Sequence, residues 1–248
     1  MERQDRPDHS RRIRPRRLAG LIVCAVAVPA LLATACSSGS GGGSGSGDSA
    51  DKSGSAPAAT DSAPAVAPAQ YKNLPAACGT VTKATVGAIV PKAKHADGTQ
   101  TKSTNVATRG GCSWTGNGKD GYQYRWLAVT LQRYDSSAQL GSAQDQAKKR
   151  YTDEVDTLGP GRHFGSKPVS GLGDQATLLT GKWTDAKITS QNATLVARAG
   201  NIVVVVDYQG AGMEGKKNPS ARTVQSAAQR AAKDVVASVT GANASLGG

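Results

Sequence analysis

Apolar residues are unevenly spread along the chain, and their spacing predicts its elements. Ile202-Val203-Val204-Val205-Val206 is an unbroken β-branched run, which predicts a strand reaching Gln209, buried on both faces and therefore central in a sheet. Two further strand-like runs precede it, Gln175 to Thr180 and Ala193 to Ala199, and Gly200-Asn201 supplies a two-residue hairpin turn. Between those two runs, Lys182 to Asn192 reads as a polar connection containing Trp183. From Tyr122 to Tyr134 the pattern alternates. Tyr122, Tyr124, Trp126 and Ala128 share one face and Leu127, Val129 and Leu131 the other, which predicts a long strand apolar on both sides near its middle.

Three segments carry helical spacing instead. Val81, Ala84, Thr85, Ala88 and Ile89 fall on one side of a short helix, with Thr80 or Thr82 to cap it and Pro91 to stop it. Ser136 to Thr152 has helical composition. Its Lys148-Lys149-Arg150 cluster is placed near the C-terminal end, where the helix dipole favours cations, and Asp153, Glu154 and Asp156 read as solvated surface. The last helix is expected from Pro219 to Val239, with Val224, Ala227, Ala228, Ala231, Val235 and Val239 as its apolar stripe and Gly241 past its end. Helix, strand, helix, a meander of strands and a final helix make an α+β fold, a largely antiparallel sheet packed against helices.

The N-terminal third follows other rules. An Arg-rich segment, an apolar run from Leu18 to Leu32 and the small residues before Cys36 have the order of a signal peptide. Leu31-Leu32-Ala33-Thr34-Ala35-Cys36 reads as a lipobox: cleavage before Cys36 leaves that cysteine as a lipidated N-terminus. A spanning anchor is the rival reading, but Pro29 interrupts the run and it falls short of the roughly 20 residues a span needs. Val23 before Cys24 is β-branched and too little apolar sequence precedes it, so Cys24 does not compete. Arg16-Arg17 leaves general secretion and twin-arginine export both open. Residues 37–70 are nearly all Gly, Ser, Ala and Pro without an aromatic side chain, too little apolar surface to repay the entropy of ordering, so a disordered tether is expected. Its root-mean-square reach is about 30 Å. The expected organisation is therefore signal peptide 1–35, lipidated cysteine and linker 36–70, and one domain over 71–248.

Charge then narrows the partners. The formal net charge is +12, and the region from Tyr71 onward contributes most of it, with 22 basic and 12 acidic residues. An address outside the membrane and the even spread of that charge argue against nucleic acid; anionic lipid head groups or wall polymers fit it better, with a solvated basic surface that has no specific partner as the alternative. The membrane itself is a partner through the lipid on Cys36, and an envelope protein is a further one. With Cys24 removed and Cys36 acylated, only Cys78 and Cys112 remain, and beyond the membrane they are expected to form a disulfide.

Reactive chemistry is sparse. Gly159-Pro160-Gly161-Arg162-His163-Phe164-Gly165 has neither the preceding strand nor the following Lys-Ser or Lys-Thr of a phosphate loop and reads as a surface turn. His95 and His163 lie in loops, and no spacing matches a zinc or calcium site, so no metal, cofactor or catalytic residue is assigned. Trp114, Tyr122, Tyr124 and Trp183 are the candidate ligand contacts, with core packing as the alternative for each. The leading reading is a non-enzymatic module that binds a ligand, the wall or a partner. An envelope hydrolase would instead place His163 beside a serine and a carboxylate, and a structural subunit would show a flat apolar patch.

Several of these features occur together elsewhere. The lipobox, the low-complexity tether, Cys78 before a helix, Cys112-Ser113-Trp114, Gly171-Leu172-Gly173-Asp174-Gln175-Ala176, the strand pair from Arg198 to Val206 and an Ala-rich last helix are similar to a family of actinobacterial cell-envelope lipoproteins of unknown function. That resemblance covers roughly residues 71–240. It implies a disulfide-bonded α+β module at the cell surface and carries over no catalytic residue.

Overall fold

The Val-rich run is the middle strand of a seven-stranded antiparallel sheet. The computed structural model describes residues 66–244 of the chain. Its strands are β1 (Thr99–Gln100), β2 (Arg109–Asn117), β3 (Gln123–Arg133), β4 (Gly165–Pro168), β5 (Gln175–Asp185), β6 (Ile188–Ala199) and β7 (Ile202–Gly212). The helices are α1 (Lys83–Ile89), α2 (Ala143–Leu158) and α3 (Ala221–Ala244). Strand order is β1-β2-β3-β7-β6-β5-β4, so the expected α+β architecture holds and β7 is central.

The two faces of the sheet are covered unequally. One face presents Leu127, Val129, Leu195, Val204 and Val206 to α1 and α3, and the whole stripe predicted for α3 is buried against them. Because that stripe is Ala and Val, the helix axis can lie close to the strands. The opposite face has a smaller core, in which Ala147 and Tyr151 of α2 and the ring of Phe164 pack on Leu179, Val196 and Val203. Gly181 is required there, because a Cβ at that position would meet the Phe164 ring at 2.2 Å. The remainder of this face, toward the β5–β6 turn, is left open.

Cys78 and Cys112 are joined, with Cα atoms 5.0 Å apart, which ties the turn before α1 to β2. Thr82 is the residue that caps α1, its hydroxyl accepting from the Thr85 amide. The face of α1 is shifted from expectation: Val86 is buried and Ala84 exposed. Residues 1–65, which include Cys36 and the segment expected to be a signal peptide, lie outside the described residues. No helix among the described residues is long and apolar enough to cross a membrane.

Other expectations need correction. Residues 182–192 are no connection but the outer half of the β5–β6 hairpin, turned by Ala186 and Lys187 with φ of 44° and 74°. Positive φ at both positions is the backbone of the two-residue turn that matches strand twist, reached here without glycine. At Gly200-Asn201 only the glycine has positive φ. Helix α2 starts later and ends later than composition suggested, because Ser142 caps it and its hydroxyl accepts from the Asp145 amide. Lys148, Lys149 and Arg150 are consequently mid-helix. Lys149 pairs with Asp153 and Arg150 with Glu154 one turn on, so these groups are neighbours along one helix rather than a cationic end and a separate acidic surface. Helix α3 runs through Gly241, since the Asn243 side chain is held at its end by the amides of Lys72 and Asn73. The end of the predicted linker is also tied down: the carbonyls of Ala67 and Pro68 accept from Ser136 and Gln144.

Candidate functional site

The open part of the second face is where alternation along four strands places aromatic and polar side chains side by side. Trp126 of β3, Gln209 of β7, Asn192 of β6 and Gly181 of β5 form one register row across the sheet. The next row toward α2 carries Ala128, Asp207 and Thr194. In the other direction Trp183 stands opposite Ser190, and Asp185 opposite Ile188 at the hairpin turn. Of these, Trp126, Gln209, Asn192, Asp207, Trp183, Ser190, Asp185 and Ile188, with Arg162 from the turn after α2, line a cleft of about 480 Å³. From the register row of Asp207 to that of Ile188 it spans six residues of β6, about 20 Å.

Its aromatic walls are oriented by their neighbours. Trp183 is 44% exposed, and the Arg162 guanidinium lies over its ring, 5.2 Å from the centroid, a cation–π contact. On the facing side Tyr124 stacks on Trp126 with centroids 5.6 Å apart and planes 29° from parallel. Both stacks leave ring surface toward solvent. Asn192 is buried, and its amide donates to the hydroxyl and carbonyl of Ser190, which fixes its orientation.

Asp207 has a perturbed carboxyl. Burial pushes its carboxyl above the ordinary aspartate value, against the lowering effects of the Thr194 hydroxyl, which donates to it at 3.0 Å, and of the Arg162 charge. An acid held on a sheet face against burial, beside a cleft, is a candidate functional group. Asp185 is the cleft's other acid, but six residues of β6 separate their register rows, about 20 Å. Two carboxyls that share a glycosidic bond stand about 5–9.5 Å apart. The cleft therefore has the polar equipment to hold a chain of hydroxyls without the spacing to cut it by that route.

The four aromatic residues singled out by sequence separate. Trp183 lines the cleft and Tyr124 supports its opposite wall through Trp126. Tyr122 stands apart at the β2–β3 turn, with the Lys216 ammonium 4.5 Å from its ring centroid. Trp114 is 2% exposed and its indole donates to the Ala96 carbonyl, so it is a core residue and the core alternative holds for it. Trp126, Asp207, Asn192, Gln209 and Arg162 were missed. The first shares the Tyr124 face of its strand, and Asp207 breaks the apolar run at a position in phase with Val203 and Val205. Those were the available signals.

His163 sits in a left-handed turn conformation, and among the described residues no serine or carboxylate hydrogen-bonds its imidazole or that of His95. Among the same residues no three His, Cys, Asp or Glu side chains gather to hold a metal ion. The chain matches no protein-family model and no curated protein.

Proposed function

We propose that this is a lipid-anchored protein of the outer face of the cell membrane, and that its domain is a non-enzymatic binding module for a wall glycan. The observation that carries the ligand class is the cleft itself: the Trp126 and Trp183 rings beside Asp207, Asn192 and Gln209 along an extended strand. Sugar rings present C–H faces that stack on aromatic surfaces and hydroxyls that need both donors and acceptors, and these side chains supply that combination. An open groove of this length suits a polymer better than a compact metabolite, which is ordinarily enclosed. The lipobox supports the address. The family resemblance supports the same cell-surface setting.

Full-length protein in detergent, sedimented with purified insoluble wall glycan, tests the reading. Wild type is expected to co-sediment, and Trp183→Ala or Trp126→Ala to reduce the bound fraction about tenfold, as loss of one stacking contact and its buried area would. Raising salt to about 1 M, where the Debye length is about 3 Å, separates stacking from simple attraction of a basic protein to an anionic polymer. Binding that disappears in salt and ignores both tryptophans would sink the glycan reading. Labelled fatty acid entering the wild type but not Cys36→Ala tests the anchor separately.

A further inference from the structure

On the other face of the sheet the chain holds a buried guanidinium that no carboxylate among the described residues contacts directly. Arg125 follows Tyr124 and precedes Trp126, so strand alternation turns it away from the cleft and toward α1 and α3. It is 7% exposed. Its guanidinium donates to the Tyr124 carbonyl and to the Gln123 side-chain oxygen, both neutral acceptors. Among the described residues no carboxylate lies within 4.0 Å of it, whereas Arg133, Arg150 and Arg198 each have one. Burying an unpaired charge is costly unless something compensates it.

The space beside Arg125 shows what would compensate it. A cavity of about 450 Å³ opens between α1, the β2–β3 turn and the first turns of α3. Thr223, Ser226, Ala227 and Arg230 line it from one face of α3, spaced three and four residues apart. Ala88, Ile89 and Pro91 form its apolar wall, while Lys119 and Asp120 stand at the β2–β3 turn. Asp120 accepts from the Tyr122 amide, and its carboxylate and the Arg125 guanidinium each come within 3.2 Å of where a Gly118 Cβ would stand, so it offsets part of that charge without contacting it. Counting Arg125, Arg230 and Lys119 against Asp120 leaves the lining with an excess of two positive charges. No acidic side chain occupies the first turn of α3, whose N-terminus is capped by the Ser220 hydroxyl accepting from the Thr223 amide. Tyr208, its phenol pushed up to about 12 by burial, remains neutral and closes the floor by donating to the Ile89 carbonyl.

We propose that this cavity is a second binding site, for a small organic anion whose phosphate or carboxylate pairs with Arg125 and Arg230 while an apolar body lies against Ala88, Ile89 and Ala227. The planar fork of Arg125 offers two-point recognition of either anion, and the Ser226 hydroxyl supplies a further donor. The volume is that of an ordinary small-molecule pocket. This site shares no side chain with the glycan cleft, so it stands whether or not that reading does.

Titration calorimetry on full-length protein in detergent, with phenyl phosphate, benzoate, phenol and benzylamine as probes, tests the inference. Phenyl phosphate and benzoate are expected to bind and to raise the melting temperature, the stronger of the two naming the anion, while phenol and benzylamine do neither. Arg125→Gln should weaken the bound anion about tenfold or more. Because Arg125 is buried, Arg230→Gln at the exposed rim provides the variant that leaves the fold intact, and it should weaken binding about threefold. Equal binding of phenol and phenyl phosphate would overturn the site, as would anion binding unchanged in the Arg230→Gln protein and in a folded Arg125→Gln protein.

Discussion

Asp207 shows how one residue can record both stability and function. Its carboxyl is raised by burial, so the native state holds the proton more tightly than the unfolded chain does. The stability associated with that group is fully present below the unfolded aspartate value near 3.8 and is lost as pH rises through the higher native value. Asp207→Asn keeps the shape and an acceptor for Thr194 and removes the charge. It is expected to be more stable than wild type at pH 7 in urea unfolding, with the difference shrinking toward pH 3. The same variant should bind wall glycan more weakly, because a charged acceptor for hydroxyls is gone. A variant that is less stable at pH 7 and binds normally would mean that the carboxylate serves the fold. Asn201 makes the contrasting case. It is fully buried, its carboxamide accepting from the Tyr71 amide and donating to the carbonyls of Tyr71 and Tyr134, so its polarity is wholly spent inside the structure.

Elements were legible in the sequence to the extent that burial wrote a period into them. β3, β7 and the stripe of α3 each have a face in the main core, and spacing found all three. The outer β5–β6 hairpin has little core, so Lys182, Thr184, Asp185 and Lys187 carried no strand signal. It forms because the buried ladder from Ala176 to Thr180 continues into it, with the Thr184 and Thr189 hydroxyls bonded across it at 2.8 Å. Strand β2 was hidden for a different reason. Gly116 lies where a Cβ would meet the Pro91 carbonyl at 2.7 Å, and Gly111 where it would meet Thr101, so close approach replaced the β-branched residues that mark a strand. Much of the candidate site lies on the hairpin that periodicity could not see. Its turn also carries strain, since each non-glycine residue in the left-handed region costs about 1 kcal/mol. Lys187→Gly should stabilise the domain by about 0.5 kcal/mol after the entropy of a freer unfolded chain is subtracted, read as a shift of the urea midpoint. It should leave glycan binding intact, because neither wall of the cleft depends on the lysine side chain. A midpoint that falls would show that the turn residues contribute contacts that outweigh their backbone cost.

At the scale of the whole molecule, one sheet separates two chemistries. Consecutive residues of β3, Arg125 and Trp126, belong to opposite faces, and so to the anion cavity and to the aromatic cleft respectively. The cleft face keeps only the smaller core beneath α2, whereas the cavity face carries the main core and the disulfide. That division allows stability and glycan binding to be separated experimentally. Cys78 and Cys112 close a loop with a sequence separation of 34. On the chain-entropy account, opening it removes about 3 to 4 kcal/mol by freeing the unfolded chain, with little demand on native contacts. The paired substitution Cys78→Ser, Cys112→Ser is expected to lower the urea unfolding free energy by that amount. At temperatures where it remains folded it should retain wall-glycan binding, since Cys112 faces the main core and Trp126, Asp207 and Trp183 face away from it. Loss of glycan binding by a folded double variant would mean that tension in the cross-link reaches the cleft through β2 and β3, and the two faces would then have to be treated as one coupled device.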